Sequence, residues 1–126
     1  MAGQLTANEV KTSMSYEYRL VFDEPLDVRQ VMDRLRSRAD CVRAAEQVVE
    51  FKDPGLGSSA DYDLRLTCES DHTLWMELLF RTTALYQCLE PALRGRRFRC
   101  FEDGDGDDEV ALEQVFALGR PLSIFP

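Results

Sequence analysis

Two stretches of strict alternation constrain this chain more than anything else in it. Between residues 62 and 69, Tyr62, Leu64, Leu66 and Cys68 alternate with Asp63, Arg65, Thr67 and Glu69. Between residues 15 and 22, Tyr16, Tyr18, Leu20 and Phe22 fall on one side, with Glu17 and Arg19 on the other. A strand turns successive side chains to opposite faces, so both patterns specify strands with one dry face and one wet face. A sheet that is dry on one side needs a second layer to cover it.

Helical patterns supply that layer. Val28, Val31, Met32 and Leu35 recur at three- and four-residue steps. The expected start places Asp27 at the N-cap, Gln30 in a capping box and Leu26 stapled onto Val31. Arg34, Arg36 and Arg38 fall near the end, where cations suit the helix dipole. A second helix is expected over residues 84–93, capped by Thr83, tolerating Pro91 and stopping at Gly95. Residues 74–80 read two ways. Leu74, Met76, Leu78 and Phe80 alternate as a hairpin partner of the preceding strand, whereas Trp75, Leu78, Leu79 and Thr82 fit one long helix from about Thr73. The strand reading is preferred.

Three further strands complete the expectation: one ending near Lys52, one over residues 97–102 and one over residues 109–118. In the last, Val110, Leu112, Phe116 and Leu118 share a face with Gln114. A loop of Gly, Pro and Ser spans residues 53–59, and Ile124 and Phe125 in the irregular tail suit packing back onto the body. The implied class is α+β: a mostly antiparallel sheet of about four to six strands with two helices on one face, ferredoxin-like or related. At 126 residues the chain fits one domain, with residues 1–13 a polar lead-in and residues 14–126 the folded unit.

Charge bears on function. The net charge of −8 repels nucleic acid and anionic membranes and attracts basic proteins. The strongest apolar run, residues 74–80, is interrupted by Glu77 and falls far short of the ~20 residues a membrane span needs. No leader-like segment opens the chain, and the expected compartment is the cytoplasm. Cys41, Cys68, Cys88 and Cys100 have no C-x-x-C spacing and His72 is the only histidine, so no zinc motif is present and the thiols are expected to be free.

The negative charge gathers at one place. From Glu102 to Glu113 the chain carries Glu102, Asp103, Asp105, Asp107, Asp108, Glu109 and Glu113 with no basic residue, and Gly104 and Gly106 break the strand there. Like charges so crowded oppose folding. Such a tip is either a solubilising turn or a docking patch for a cationic surface. Asp103, Asp105, Asp107 and Glu109 also have the every-other-residue spacing of a calcium loop, but Asp108 and Gln114 occupy the positions that need Gly and Glu. The neighbouring run of Arg94, Arg96, Arg97 and Arg99 with Phe98 and Phe101 is expected to form ion pairs across the hairpin rather than to bind phosphate. Asp71 beside His72 lacks a matched nucleophile, and Gly55-Leu56-Gly57 lacks the rest of a phosphate loop.

No catalytic or cofactor motif emerges. The chain resembles, in kind, small acidic inhibitors of the bacterial toxin-immunity sort, which mask a cationic site on a partner protein. The expected contact residues are Glu102, Asp103, Asp105, Asp107, Asp108 and Glu109, without cofactor or metal. The alternative is a self-associating accessory subunit whose strand edge pairs with another copy.

Overall fold

A computed structural model describes residues 15–103 and 108–116. Strand β1 (Tyr16–Phe22) leads into helix α1 (Pro25–Arg36), the hairpin β2 (Cys41–Ala44) and β3 (Val48–Phe51), and the hairpin β4 (Leu64–Cys68) and β5 (Thr73–Leu78). Helix α2 (Thr83–Leu93), strands β6 (Phe98–Glu102) and β7 (Glu109–Val110) and the short helix α3 (Leu112–Val115) complete the order. The strands form one sheet, β2-β3-β4-β5-β1-β6-β7, antiparallel at every pairing. Within it β1, α1, β4, β5, α2 and β6 give the strand order β6-β1-β5-β4, extended by the β2–β3 hairpin on one side and by β7 on the other.

The alternation sorts side chains as expected. Tyr18, Leu20 and Phe22 of β1, Leu64 and Leu66 of β4, and Leu74, Met76 and Leu78 of β5 are buried with Val28, Val31, Met32 and Leu35 of α1 and Leu85, Leu89 and Leu93 of α2. Each fully buried aliphatic side chain contributes about 1.5–3 kcal/mol, so this single layer between sheet and helices dominates stability. Tyr16, at the open end of β1, stays 42% exposed. Residues 74–80 resolve in favour of the strand, because β5 pairs with β1 and β4 on either side and buries every second residue.

Several local expectations are corrected. Helix α1 begins three residues earlier than expected, with Glu24 at the N-cap instead of Asp27, Pro25 in the first turn and no side-chain cap. Proline's missing N–H costs nothing there, because the first helical N–H groups have no intrahelical partner. Asp27 is therefore inside the first turn, and Leu26 is 58% exposed rather than stapled. Thr82, not Thr83, caps α2, accepting from the Leu85 N–H at 3.2 Å. The strand expected to end near Lys52 is β3, and the residues before it form its unforeseen hairpin partner β2, with a register shift between Cys41 and Arg43. The last strand stops at Val110. Gln114 reaches back to accept from the Ala111 N–H at 2.9 Å, and Leu112, Val115 and Phe116 bury at helical spacing. The described residues thus hold seven strands and three helices. Residues 1–13, Leu118, Ile124 and Phe125 lie outside them.

Candidate protein-binding surface

Antiparallel pairing of β6 with β7 places the described residues on either side of the acidic tip. Cys100 faces Val110 and Phe101 faces Glu109, while the Glu102 N–H donates to the Asp108 carbonyl at 2.8 Å. The Asp103 N–H donates to the Glu17 carbonyl at 3.0 Å, anchoring the tip on β1. Glu102, Asp103, Asp108 and Glu109 are exposed. Asp105 and Asp107 lie outside the described residues.

The tip's carboxylates divide by the face they occupy. Asp103 meets Arg19 at 3.5 Å and Glu109 meets Arg99 at 3.1 Å, both on the side of the sheet away from the helices. Glu102 sits opposite Tyr18 and so belongs to the helix side. Neither Glu102 nor Asp108 has a basic side chain within 4.0 Å among the described residues. Arg81 lines a small cleft with Glu102 and Tyr18, but its guanidinium lies over the Tyr16 ring at 3.9 Å. A carboxylate left unpaired at an exposed turn is available to a partner's cation.

The arginine run disperses. Only Arg99 pairs across the hairpin; Arg94 binds Glu90 on its own helix, and Arg96 reaches α1, contacting Asp27 at 2.9 Å and Gln30 at 2.7 Å. Asp27 and Gln30, expected as capping groups, instead tie α1 to α2. Arg97, the fourth of the run, is exposed and makes no ion pair within 4.0 Å among the described residues, so the expected pairing holds for Arg99 alone.

A second acidic contribution reaches the same end of the sheet. Leu64, Leu78 and Tyr16 align in register, so the loop between β3 and β4 projects at the end that carries the tip. Its organiser is Asp63, fully buried, which accepts from the Ser58 hydroxyl at 2.7 Å and the Asp53 N–H at 2.8 Å. Lys52 is consumed inside the loop by the carbonyls of Ser58 and Ala60. Asp53 and Asp61 therefore add negative charge with no paired cation among the described residues. Sequence reasoning missed them, because only the register shows that residues 53–61 share an end of the sheet with Glu102, Asp103 and Asp108.

Reactive groups are poorly placed. Burial pushes the Cys100 thiol up to about 12, with Glu102 and Glu109 adding to it. Burial and the Asp40 carboxylate push the Cys88 thiol up to about 12 as well. Both stay protonated at neutral pH and are weak nucleophiles. Comparison with protein-family models, with curated proteins and with solved structures finds no match. His72 is exposed in the β4–β5 turn, where its carbonyl accepts from the Phe22 N–H. A groove of about 410 Å³ between α2 and β6–β7 is rimmed by the ion pairs Arg94–Glu90 and Arg99–Glu109. No helix among the described residues is long and apolar enough to cross a membrane.

Proposed function

We propose that this protein binds another protein through its acidic end and masks a cationic site there, in the manner of a small inhibitor or immunity protein. The observation that carries this reading is that Glu102 and Asp108 have no basic side chain within 4.0 Å among the described residues, whereas Asp103 and Glu109 of the same hairpin each meet an arginine. Asp53 and Asp61 extend the same negative surface, and Asp105 and Asp107 belong to it by sequence. Such a surface steers a basic partner and makes encounter fast and sensitive to salt. The underlying plan is, in this reading, a ferredoxin-like β-α-β-β-α-β arrangement with an added hairpin, supported by the order β6-β1-β5-β4.

Self-association through a strand edge is the weaker reading. β2 is four residues long and irregular at Cys41, and β7 has two residues; short, bulged edges resist pairing with another copy.

The test begins with partners captured on the immobilised chain and identified by mass spectrometry. Association is then measured for the natural chain and for the double variant Glu102→Gln, Asp108→Asn across a salt series. The reading requires a cationic partner whose affinity falls about tenfold or more in the variant and whose salt dependence flattens. A partner bound equally well by both chains at every salt concentration refutes it.

A further inference from the structure

The side of the sheet turned away from α1 and α2 is covered by no other described element. Its arginines are all committed. Arg43 meets Glu50 at 3.2 Å, Arg65 meets Glu77 at 2.6 Å and Glu50 at 3.5 Å, Arg19 meets Asp103 and Arg99 meets Glu109. One carboxylate breaks this balance. Glu17 accepts from the Ser15 hydroxyl at 3.5 Å but has no basic side chain within 4.0 Å among the described residues, and it faces Glu77 directly across β1 and β5. Directly opposed like charges destabilise a sheet. Burial, then Glu77, then Asp103 hold the Glu17 carboxyl above the usual carboxylate range.

Apolar surface lies beside it. Trp75 and Phe101 are both half-buried and flank Arg19, which they face across the two neighbouring pairings. Trp75 is also the diagonal neighbour of Glu17, within reach of a shared ligand. The Arg19 guanidinium lies 6.0 Å from the Trp75 ring and that of Arg99 5.0 Å from the Phe101 ring, and aromatic residues are among those enriched at interface centres.

We infer that this uncovered face docks a segment of a partner protein that sets one lysine or arginine on Glu17 and apolar side chains on Trp75 and Phe101. The same face of a second copy does not supply that complement, since its arginines are already held by carboxylates. Nucleic acid is disfavoured by the net charge of −8. The inference rests on the protein-binding reading but names a different surface from the tip.

Trp75 is the only tryptophan, so its fluorescence reports on this face alone. The probe is a synthetic peptide alternating valine and lysine, about eight residues long to span the strands, with a valine–glutamate peptide as its counterpart. The lysine peptide is expected to change Trp75 emission saturably, and the glutamate peptide to leave it unchanged. Glu17→Gln weakens the lysine peptide by about tenfold. Glu69→Gln makes the same charge change at an exposed site at the far end of the sheet and leaves binding intact. Absence of a saturable change, or equal weakening by both variants, overturns the inference. Binding that is lost on Glu102→Gln, Asp108→Asn but kept on Glu17→Gln also overturns it, and leaves the tip as the binding site.

Discussion

The two faces of one sheet are made from the same strands and differ in almost everything else. Toward the helices, Leu20, Leu66 and Met76 are completely buried. One residue along, on the other face, stand Arg19, Thr67 and Glu77, all half-buried, with Arg19 and Glu77 held in ion pairs. The first face is held by loss of apolar surface from water, the second by charges that nearly cancel. Stability therefore resides on the covered side, while the other side and the acidic end remain available for recognition.

The sharpest way to break this comparison uses adjacent residues of β4. Leu66→Ala is expected to cost about 2–5 kcal/mol in urea unfolding, because the site cannot collapse around the lost methyls. Thr67→Ala, facing the other way, is expected to cost less than about 0.5 kcal/mol. Similar losses at both positions would mean that the uncovered face is as much a core as the covered one.

Buried charge forms the next test. Asp63→Ala strips the Ser58 hydroxyl and the Asp53 N–H of their acceptor, for an expected loss of about 1–3 kcal/mol by thermal or urea unfolding. An unchanged stability would show that the loop does not depend on Asp63. Arg96→Ala removes the link between the helices, with an expected loss of about 1 kcal/mol.

The smallest effect has the opposite sign. Glu17→Gln relieves the repulsion from Glu77 and is expected to stabilise the fold by about 0.5 kcal/mol at neutral pH. The fold raises the Glu17 pKa, so the folded state holds that proton more tightly than the unfolded one. Ionised Glu17 is thus a penalty above the raised pKa; the penalty fades as pH falls through that value and is gone below the ordinary glutamate range. Melting curves of the two proteins are expected to converge in acid; a gap that widens there contradicts the assignment.

Much of the covered face was legible in the sequence, and little of the recognition surface. Period two in residues 16–22 and 64–68 and the stripe Val28, Val31, Met32 and Leu35 each report on burial directly, so local pattern and tertiary structure agree. Boundaries were harder. Asp27 looked like a cap, but Pro25 tolerated the earlier start and released Asp27 for Arg96, a partner 69 residues away. The alternation of Val110 and Leu112 suggested a strand, and burial of Leu112, Val115 and Phe116 won a helical turn instead. The acidic tip could be read from composition, but which of its carboxylates are neutralised depends on Arg19 and Arg99, which only the sheet register brings near. The opposition of Glu17 to Glu77 is likewise a property of pairing, invisible along the chain.

The most direct measurement is an amide chemical-shift map of the labelled chain bound to its captured cationic partner. The expected perturbations centre on Glu102, Asp103, Asp108 and Glu109 and extend along β1 to Glu17 and the Trp75 indole. Shifts confined to the outer surfaces of α1 and α2, with the hairpin and the uncovered face unchanged, would contradict the account.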